Sequence, residues 1–201
     1  MVDIISRYKA GERSFRGMNL RGMDLSGADL SCANFGWVDF RDANLRGVDL
    51  MGADLRFATL READLRYANL SRVDLGDANL SGADLGDANL SGANLRGANL
   101  RYANLRYANL SRVDLSGVDL RYANLSGANL SGANLRYANL DMSCLPLWCG
   151  SLNMKVDKRI AVQIAYHLCA LDCDDPEYRE VRSKCLKFAN QMHRTDAPRL
   201  V

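Results

Sequence analysis

The 201-residue sequence has only two histidines and three prolines. It contains no run of about 18 apolar residues, which a membrane-spanning helix needs, and its start, Met1 to Ile5, is too short and too mixed for a signal peptide. Both histidines, His167 and His193, lie near the C-terminus, and no Ser-His-Asp or Cys-His arrangement can be argued around them. We therefore expect a cytoplasmic protein with no membrane association and no catalytic residues.

The six cysteines form no C-x-x-C motif. Five of the six cysteines follow residue 140, and the full set is Cys32, Cys144, Cys149, Cys169, Cys173 and Cys185. His167, Cys169 and Cys173 are near enough in sequence to bind zinc, but their spacing matches no common zinc module. The alternative is a disulfide near the C-terminus, which would form if the protein were exported. We favour free, buried thiols and predict no metal and no cofactor.

The sequence has instead an unbroken five-residue repeat. From Phe15 to Leu140 every fifth residue is Leu or Phe, in 26 consecutive units. Two residues earlier stands a slim apolar residue, usually Ala, and the residue between is Asp or Asn, with Thr59 as the exception after the first repeat. The unit is A-(D/N)-L-x-x.

A period of five fits neither a helix, with a period near 3.6, nor a continuous strand, with a period of 2. It fits a short extended piece with side chains pointing in, out and in, followed by a two-residue corner. Glycine is frequent at the second corner position, for example Gly22 and Gly82, as a tight turn with unusual φ requires. A fixed sequence period of this kind is typical of a solenoid.

The A-(D/N)-L-x-x units resemble the A(D/N)LXX motif of the pentapeptide-repeat family, over about two thirds of the chain. The resemblance implies a β-solenoid, namely a right-handed quadrilateral β-helix with four units per coil and about 6–7 coils here. The core would then consist of the central Leu and Phe residues. We select as core residues Phe15, Leu20, Leu25, Leu30, Phe35, Phe40, Leu55, Leu75, Leu95, Leu115 and Leu135.

We predict three segments: a capping helix in residues 1–10, the β-helix in residues 11–145 and a helical C-terminal cap in residues 146–201. The cap is predicted as two helices in a hairpin. Its predicted apolar contacts are Leu145, Leu147, Trp148, Ile160, Ile164, Leu168 and Phe188. The stretch YHLCALDCDDPE at 166–177 resembles the C-terminal caps of some bacterial members of the family.

Charge is balanced along the repeat. Residues 11–140 contain fifteen Arg, fifteen Asp or Glu, and no Lys, so their formal charges cancel. With 20 residues per coil, one column holds Arg21, Arg41, Arg61, Arg101 and Arg121, with Tyr102 and Tyr122 beside it. Such a column can meet phosphates. The mixed charges around it favour simple solvation of a corner.

Three functions remain open. We favour a non-enzymatic structural or protein-interaction scaffold, most simply a monomer, whose partner the sequence does not name. The resemblance also implies a second candidate, because some family members mimic DNA and inhibit DNA gyrase, but that role needs a strongly negative rod. Nucleic-acid binding through the arginine column ranks third. The near-ideal repetition indicates a recently expanded natural array or a consensus-engineered one with no native partner.

Overall fold

The structure is a computed structural model that describes residues 3–141, 143–144, 155–156 and 161. The chain divides into two compact units, Met1–Lys155 and Val156–Val201. Of the second unit the structure describes Val156 and Ala161. The predicted cap contacts Leu145, Leu147, Trp148, Ile160, Ile164, Leu168 and Phe188, which fall in both units, all lie outside the described residues.

The first unit is a β-solenoid built from single-residue parallel bridges. Each bridge joins residues 20 positions apart, from Ser14↔Asn34 to Asn124↔Cys144. Since the sequence repeats every five residues, a register of 20 places four repeats on each coil. The last bridge joins Asn134 to Lys155 and is one residue out of this register.

Each corner between two sides is a tight turn closed by one backbone hydrogen bond. In the turn after Leu20, for example, the Met23 amide donates to the Leu20 carbonyl over 3.1 Å. The second corner residue has positive φ at all 25 corners from Gly17 to Tyr137, which together with the hydrogen bond defines a type II turn. Only 11 of these corners carry Gly, so residues such as Tyr67 (φ 61°) and Arg72 (φ 58°) adopt the left-handed conformation too.

The core fills the interior of the coil. The predicted core residues Phe15, Leu20, Leu25, Leu30, Phe35, Phe40, Leu55, Leu75, Leu95, Leu115 and Leu135 are each at most 2% exposed. Three of the phenylalanines meet in the early coils, where the ring centres of Phe15 and Phe35 lie 5.2 Å apart and those of Phe35 and Phe40 5.3 Å apart. From Ala28 onward the slim residue of each repeat is buried beside these side chains, whereas Met18 and Met23 in the first coil are half-buried.

The Asp or Asn of each repeat points outward and closes the corner that follows it. Its Oδ1 accepts the backbone N–H two residues later, as in Asp24 with Ser26 (3.0 Å). Many Asn side chains also donate from Nδ2 to the Asp or Asn one coil earlier, as Asn94 does to Asp74 over 2.9 Å. One side chain therefore satisfies a turn amide and links two coils.

Helix α1 spans Ile4–Lys9, slightly shorter than the predicted helix. Asp3 begins it by accepting a hydrogen bond from the Ser6 amide over 2.9 Å. Ile4 is 1% exposed, and the Tyr8 hydroxyl donates to the Ser31 carbonyl over 2.8 Å, so the helix packs against the first coil. Among the residues that the structure describes, no helix is long and apolar enough to cross a membrane.

Candidate binding surface

The predicted arginine column exists in the structure, because the corners stack in the same register as the sides. The Gly22 amide donates to the Arg41 carbonyl over 2.9 Å, and the Tyr102 amide donates to the Arg121 carbonyl over 3.1 Å. Arg21, Arg41, Arg61, Arg101 and Arg121 thus occupy equivalent positions on successive coils, with Ser81 in between.

Three arginines of this column are held in ion pairs. Arg41 pairs with Asp39 at 2.6 Å and Arg121 with Asp119 at 2.6 Å, while Arg21 reaches Asp42 one coil later at 2.9 Å. The hydrogen bonds from Arg41 hold the pKa of Asp39 below its usual range. Each of these guanidinium groups therefore already has a carboxylate partner, although all three stay partly exposed.

The remaining part of the column is aromatic. The rings of Tyr102 and Tyr122 stack with centroids 4.9 Å apart and planes 7° apart, and both side chains are about half exposed. The Arg101 guanidinium lies 5.5 Å from the centre of the Tyr102 ring, and its buried Nε has no hydrogen-bond partner. Arg61 forms no ion pair with the described residues. Arg101, Tyr102 and Tyr122 are thus neighbouring residues of the column that form no ion pair with the described residues, and we call these three residues the Tyr–Arg patch.

A second surface feature was not singled out from the sequence. Trp37 and Phe57 stack on one corner with ring centroids 4.4 Å apart, and they are 55% and 42% exposed. The repeat pattern could have identified both residues, because each occupies the second corner position and that position points outward. Large apolar side chains at such a position indicate a contact surface.

An open groove begins beside Phe57. Its volume is about 480 Å³, and it is lined by Arg56, Phe57, Asp74, Gly76, Asp77, Asn94, Arg96, Gly97, Ser116 and Gly117. Glycine at three of these corner positions leaves the hollow. At the edge of this groove, Arg56 forms an ion pair with Asp54 at 2.7 Å and a longer one with Asp74 at 3.7 Å.

The prediction that the free thiols are buried was wrong for the two cysteines that the structure describes. Cys32 and Cys144 are free but exposed, whereas we expected buried thiols. The reason is geometric, because Cys32 lies at a second corner position and Cys144 at the outward Asp or Asn position of the repeat. The described residues hold no cluster of metal-binding side chains. The candidate zinc residues His167, Cys169 and Cys173 lie outside the described residues.

Fold and surface together define a class of protein: a repeat solenoid whose outer surface, with no inserted loop in residues 14–141, presents aromatic and arginine corners. The family profile described as pentapeptide repeats matches residues 14–47, 39–77, 78–117 and 114–146, in 8 copies. The chain therefore belongs to the pentapeptide-repeat family. No curated protein matches the sequence.

Several solved structures are similar to the chain. A pentapeptide repeat protein from the Arabidopsis thaliana thylakoid lumen is 36% identical over 49% of this chain and 68% of that protein, with a TM-score of 0.48. HetL, from Nostoc sp. strain PCC 7120 and involved in heterocyst differentiation regulation, is 28% identical over 76% and 92%, with a TM-score of 0.22. A trypsin-treated variant of QnrB1, a plasmid-mediated fluoroquinolone resistance protein, is 21% identical over 81% and 98%, with a TM-score of 0.44.

Proposed function

We propose that the chain is a non-enzymatic scaffold of the bacterial cytoplasm that binds another protein along the outer surface of its coil. The observation that carries this proposal is the unbroken register of 20 residues from Ser14 to Cys144. Active sites are disproportionately built on loops held by a rigid scaffold, and no loop interrupts this register. The outward Asp and Asn oxygens instead close turns and link coils.

The composition of the corners supports a protein partner. Aromatic side chains and arginine are enriched at protein interfaces. The described corners expose both types, with Tyr102 at 59%, Tyr107 at 61% and Tyr137 at 75%. Arg106 lies 5.4 Å from the Tyr107 ring centre, so cationic and aromatic groups present one mixed surface.

The proposed architecture is a right-handed rod of about 6–7 coils, closed by α1 at one end and by a helical cap at the other. Packing of α1 on the first coil through Ile4 and Tyr8 supports the first closure. The predicted cap contacts lie outside the described residues, and the family resemblance of residues 166–177 supports the second closure.

A capture experiment tests the scaffold. The full chain is immobilised, bound proteins are recovered from a bacterial lysate, and the binding of each is then remeasured with purified components. We expect a defined partner whose binding is lost in Tyr102→Gly/Tyr122→Gly. Glycine suits the positive φ of these corners (60° and 62°), so the variant removes the rings without straining the turns.

Arg72→Gly is the matched control, because Arg72 has the same backbone conformation (φ 58°) on a corner without a stacked ring. The control should keep full binding. Absence of any reproducible partner, or equal binding by all three proteins, would contradict a scaffold that acts through the Tyr–Arg patch.

A DNA-mimicking regulator of gyrase is the second candidate. Residues 11–89 contain nine Arg and thirteen Asp or Glu, a net charge of −4, which favours such a role for the early coils. Residues 90–140 contain six Arg and two Asp, a net charge of +4, which opposes it. Because mimicry of a duplex needs negative charge along the whole rod, we rank this role below the scaffold.

A further inference from the structure

Along one corner of the rod, large rings and glycines follow one another in an order that suits the packing of two copies of the chain. We call it the aromatic corner; it comprises residues 16–17 and the pairs that follow at each 20 residues up to 136–137. Its second positions are, in order, Gly17, Trp37, Phe57, Asp77, Gly97, Gly117 and Tyr137.

This order is self-complementary when read in both directions from Asp77. One coil away on either side stand Phe57 and Gly97, and two coils away stand Trp37 and Gly117. Three coils away stand Gly17 and Tyr137. Every large ring is therefore as far from Asp77 in one direction as a glycine is in the other.

We propose that the aromatic corner is a self-association surface, on which a second copy of this chain packs antiparallel with the two-fold axis at Asp77. Such an interface uses the same patch on both subunits. The axis places Trp37 of one copy opposite Gly117 of the other and Phe57 opposite Gly97. Each ring then enters a hollow and loses its exposed apolar surface.

The receiving hollows are present in the single chain. The groove of about 480 Å³ is bordered by Phe57 and floored by Gly76, Gly97 and Gly117. A Cβ built on Gly117 would meet no atom within 4 Å, and the same holds for Gly17. The Asp77 carboxylate leans over Gly97 and must rotate to admit Phe57. Asp77 is exposed, so this rotation is unhindered from the solvent side.

The net charges of the two halves of the rod weakly favour the antiparallel arrangement. With the axis at Asp77, it sets residues 11–76 of each copy, which contain nine Arg and ten Asp or Glu, beside residues 78–140 of the other, which contain six Arg and four Asp. The two facing halves therefore have small net charges of opposite sign, −1 and +2. A parallel arrangement would instead align like charges. Near the axis, Arg96 has no ion pair with the described residues of its own copy and lies one coil from Asp77. The axis brings the two Asp77 carboxylates together and sets Arg96 of each copy opposite Arg56 of the other, so Arg96 supplies positive charge one coil from the paired carboxylates.

The contact is long but narrow. Six coils separate Gly17 from Tyr137, which at about 4.8 Å per coil gives a contact roughly 29 Å long. A single corner buries less than the roughly 800 Å² per partner of a standard interface. We therefore expect a weak dimer, with a dissociation constant of about 10–100 µM.

Sedimentation velocity of the full chain from about 5 to 500 µM tests the proposal, because these concentrations bracket the expected dissociation constant. Wild type should shift from monomer to dimer, and raising NaCl should weaken the dimer by screening its charges. Trp37→Gly leaves a hollow facing a hollow, and Gly117→Trp sets a ring against a ring. Each should weaken the dimer by at least about tenfold.

The double variant Trp37→Gly/Gly117→Trp exchanges ring and hollow on each copy, so the two-fold arrangement is complementary again. It should return to within about threefold of the wild-type dissociation constant. Trp37 (φ 63°) and Gly117 (φ 68°) share one backbone conformation, so each turn accepts the exchange. Gly47→Trp, on another corner with φ 65° and open space above it, is the matched control and should dimerise as wild type does.

Three results would overturn the proposal: a wild-type chain that is monomeric at 500 µM, a double variant as weak as the single ones, or single variants that dimerise normally. The last result would assign any dimer to another surface, such as the rod ends. Circular dichroism of every variant checks that the strand signal is retained.

Discussion

At the scale of the residue, the Asp or Asn before each central Leu has two tasks. Its Oδ1 accepts the backbone N–H two residues on, and an Asn can also donate to the coil before it, as Asn69 does to Asp49 over 3.1 Å. Asp fulfils the first task and lacks the donor for the second. Two Asp residues on successive coils therefore repel each other unless a cation lies between them.

The pair Asp29 and Asp49 provides a test of this asymmetry. The two residues bridge on successive coils, and neither has an arginine two residues later. Two charges at such spacing repel by about 1 kcal/mol in water. Asp49→Asn removes one charge and adds an Nδ2 donor towards Asp29, so we expect stability to rise by about 0.5–1 kcal/mol, measured from the midpoint of denaturant unfolding.

The control for this change is Asn89→Asp in the same column. Asn89 lies between Asn69 and Asn109, and its Oδ1 accepts from Asn109 over 3.2 Å, a bond that Asp can keep. This variant should change stability by less than about 0.5 kcal/mol. An Asp49→Asn protein no more stable than wild type would show that stacked carboxylates do not repel appreciably here.

Acid should destabilise the rod through its Asp–Arg pairs. The pKa values of Asp39, Asp64 and Asp119 are lowered, first of all by hydrogen bonds from the arginine two residues later. A carboxyl group with a lower pKa in the folded than in the unfolded state stabilises the fold fully above its unfolded pKa. That contribution is lost as pH falls through the folded pKa, so the thermal midpoint should be flat from about pH 7 to 5 and fall below about pH 4.

Asp39→Asn/Asp64→Asn/Asp119→Asn isolates this effect, since Asn keeps the acceptor that closes each turn. The triple variant should begin with a lower midpoint at pH 7 and lose less of it between pH 5 and 3 than wild type does. Thermal melts followed by circular dichroism measure both quantities. The same acid-induced loss in both proteins would mean that other carboxyl groups cause it.

At the scale of the element, the repeating unit is a bridge residue, an inward Leu and a type II corner. The corner requires positive φ, which costs a non-glycine residue roughly 1–2 kcal/mol. At 14 of the 25 described corners the second residue is nevertheless not glycine. The stacking of coils and the buried Leu columns hold these residues in place, which is how packing overrides a local preference.

The inward columns should therefore carry most of the stability. Leu95 is fully buried in a column between Leu75 and Leu115. Leu95→Ala should cost about 2–5 kcal/mol through lost burial and the cavity that remains. Ser91→Ala, at a half-buried first corner position, should cost less than about 0.5 kcal/mol because its turn bond uses the backbone amide. Equal losses in thermal melts would contradict the inward and outward assignment.

At the scale of the whole molecule, the ends of the rod are its exposed edges. Cys144 and Lys155 pair with Asn124 and Asn134 and so cover backbone groups of the last coil. Deleting residues 144–201 removes both bridges and leaves an edge that can pair with another chain. We expect the truncated chain to keep its strand signal in circular dichroism and to associate end to end in light scattering.

Because α1 still covers the first coil, end-to-end association should give dimers in preference to long fibres. Measurements at about 5 µM keep this association apart from the weaker lateral dimer proposed above, and wild type at that concentration is the control. A truncated chain that stays monomeric and equally stable would refute a capping role for residues 144–201.

The charge of the whole rod bears on DNA gyrase. Residues 11–140 have equal numbers of acidic and basic residues, so the rod lacks the uniform negative field of a duplex. We expect no inhibition of gyrase supercoiling at micromolar protein. Clear inhibition at low micromolar concentration would reverse our ranking of the scaffold and DNA-mimic roles.

The repeat by itself was enough to predict a solenoid with Leu and Phe inside and Asp or Asn outside. A period of five allows only a short extended piece and a corner, and the family resemblance implied four pieces per coil, which the 20-residue register confirms. Helix α1 was also predictable, since Ile4 and Tyr8 share one face and Gly11 follows the helix. These features are local or strictly periodic, so the order of residues determines them.

Tertiary structure decided which outward residues act together. In sequence Trp37 and Phe57 are 20 residues apart, and only stacking of coils brings their rings to 4.4 Å. The arginine column was predicted as a stripe, yet Arg41 folds back onto Asp39 within its own coil. Whether a long charged side chain extends into solvent or pairs with a neighbour depends on the distances that coiling creates. The repeat therefore determined the rod, and the contacts between coils determined its surface.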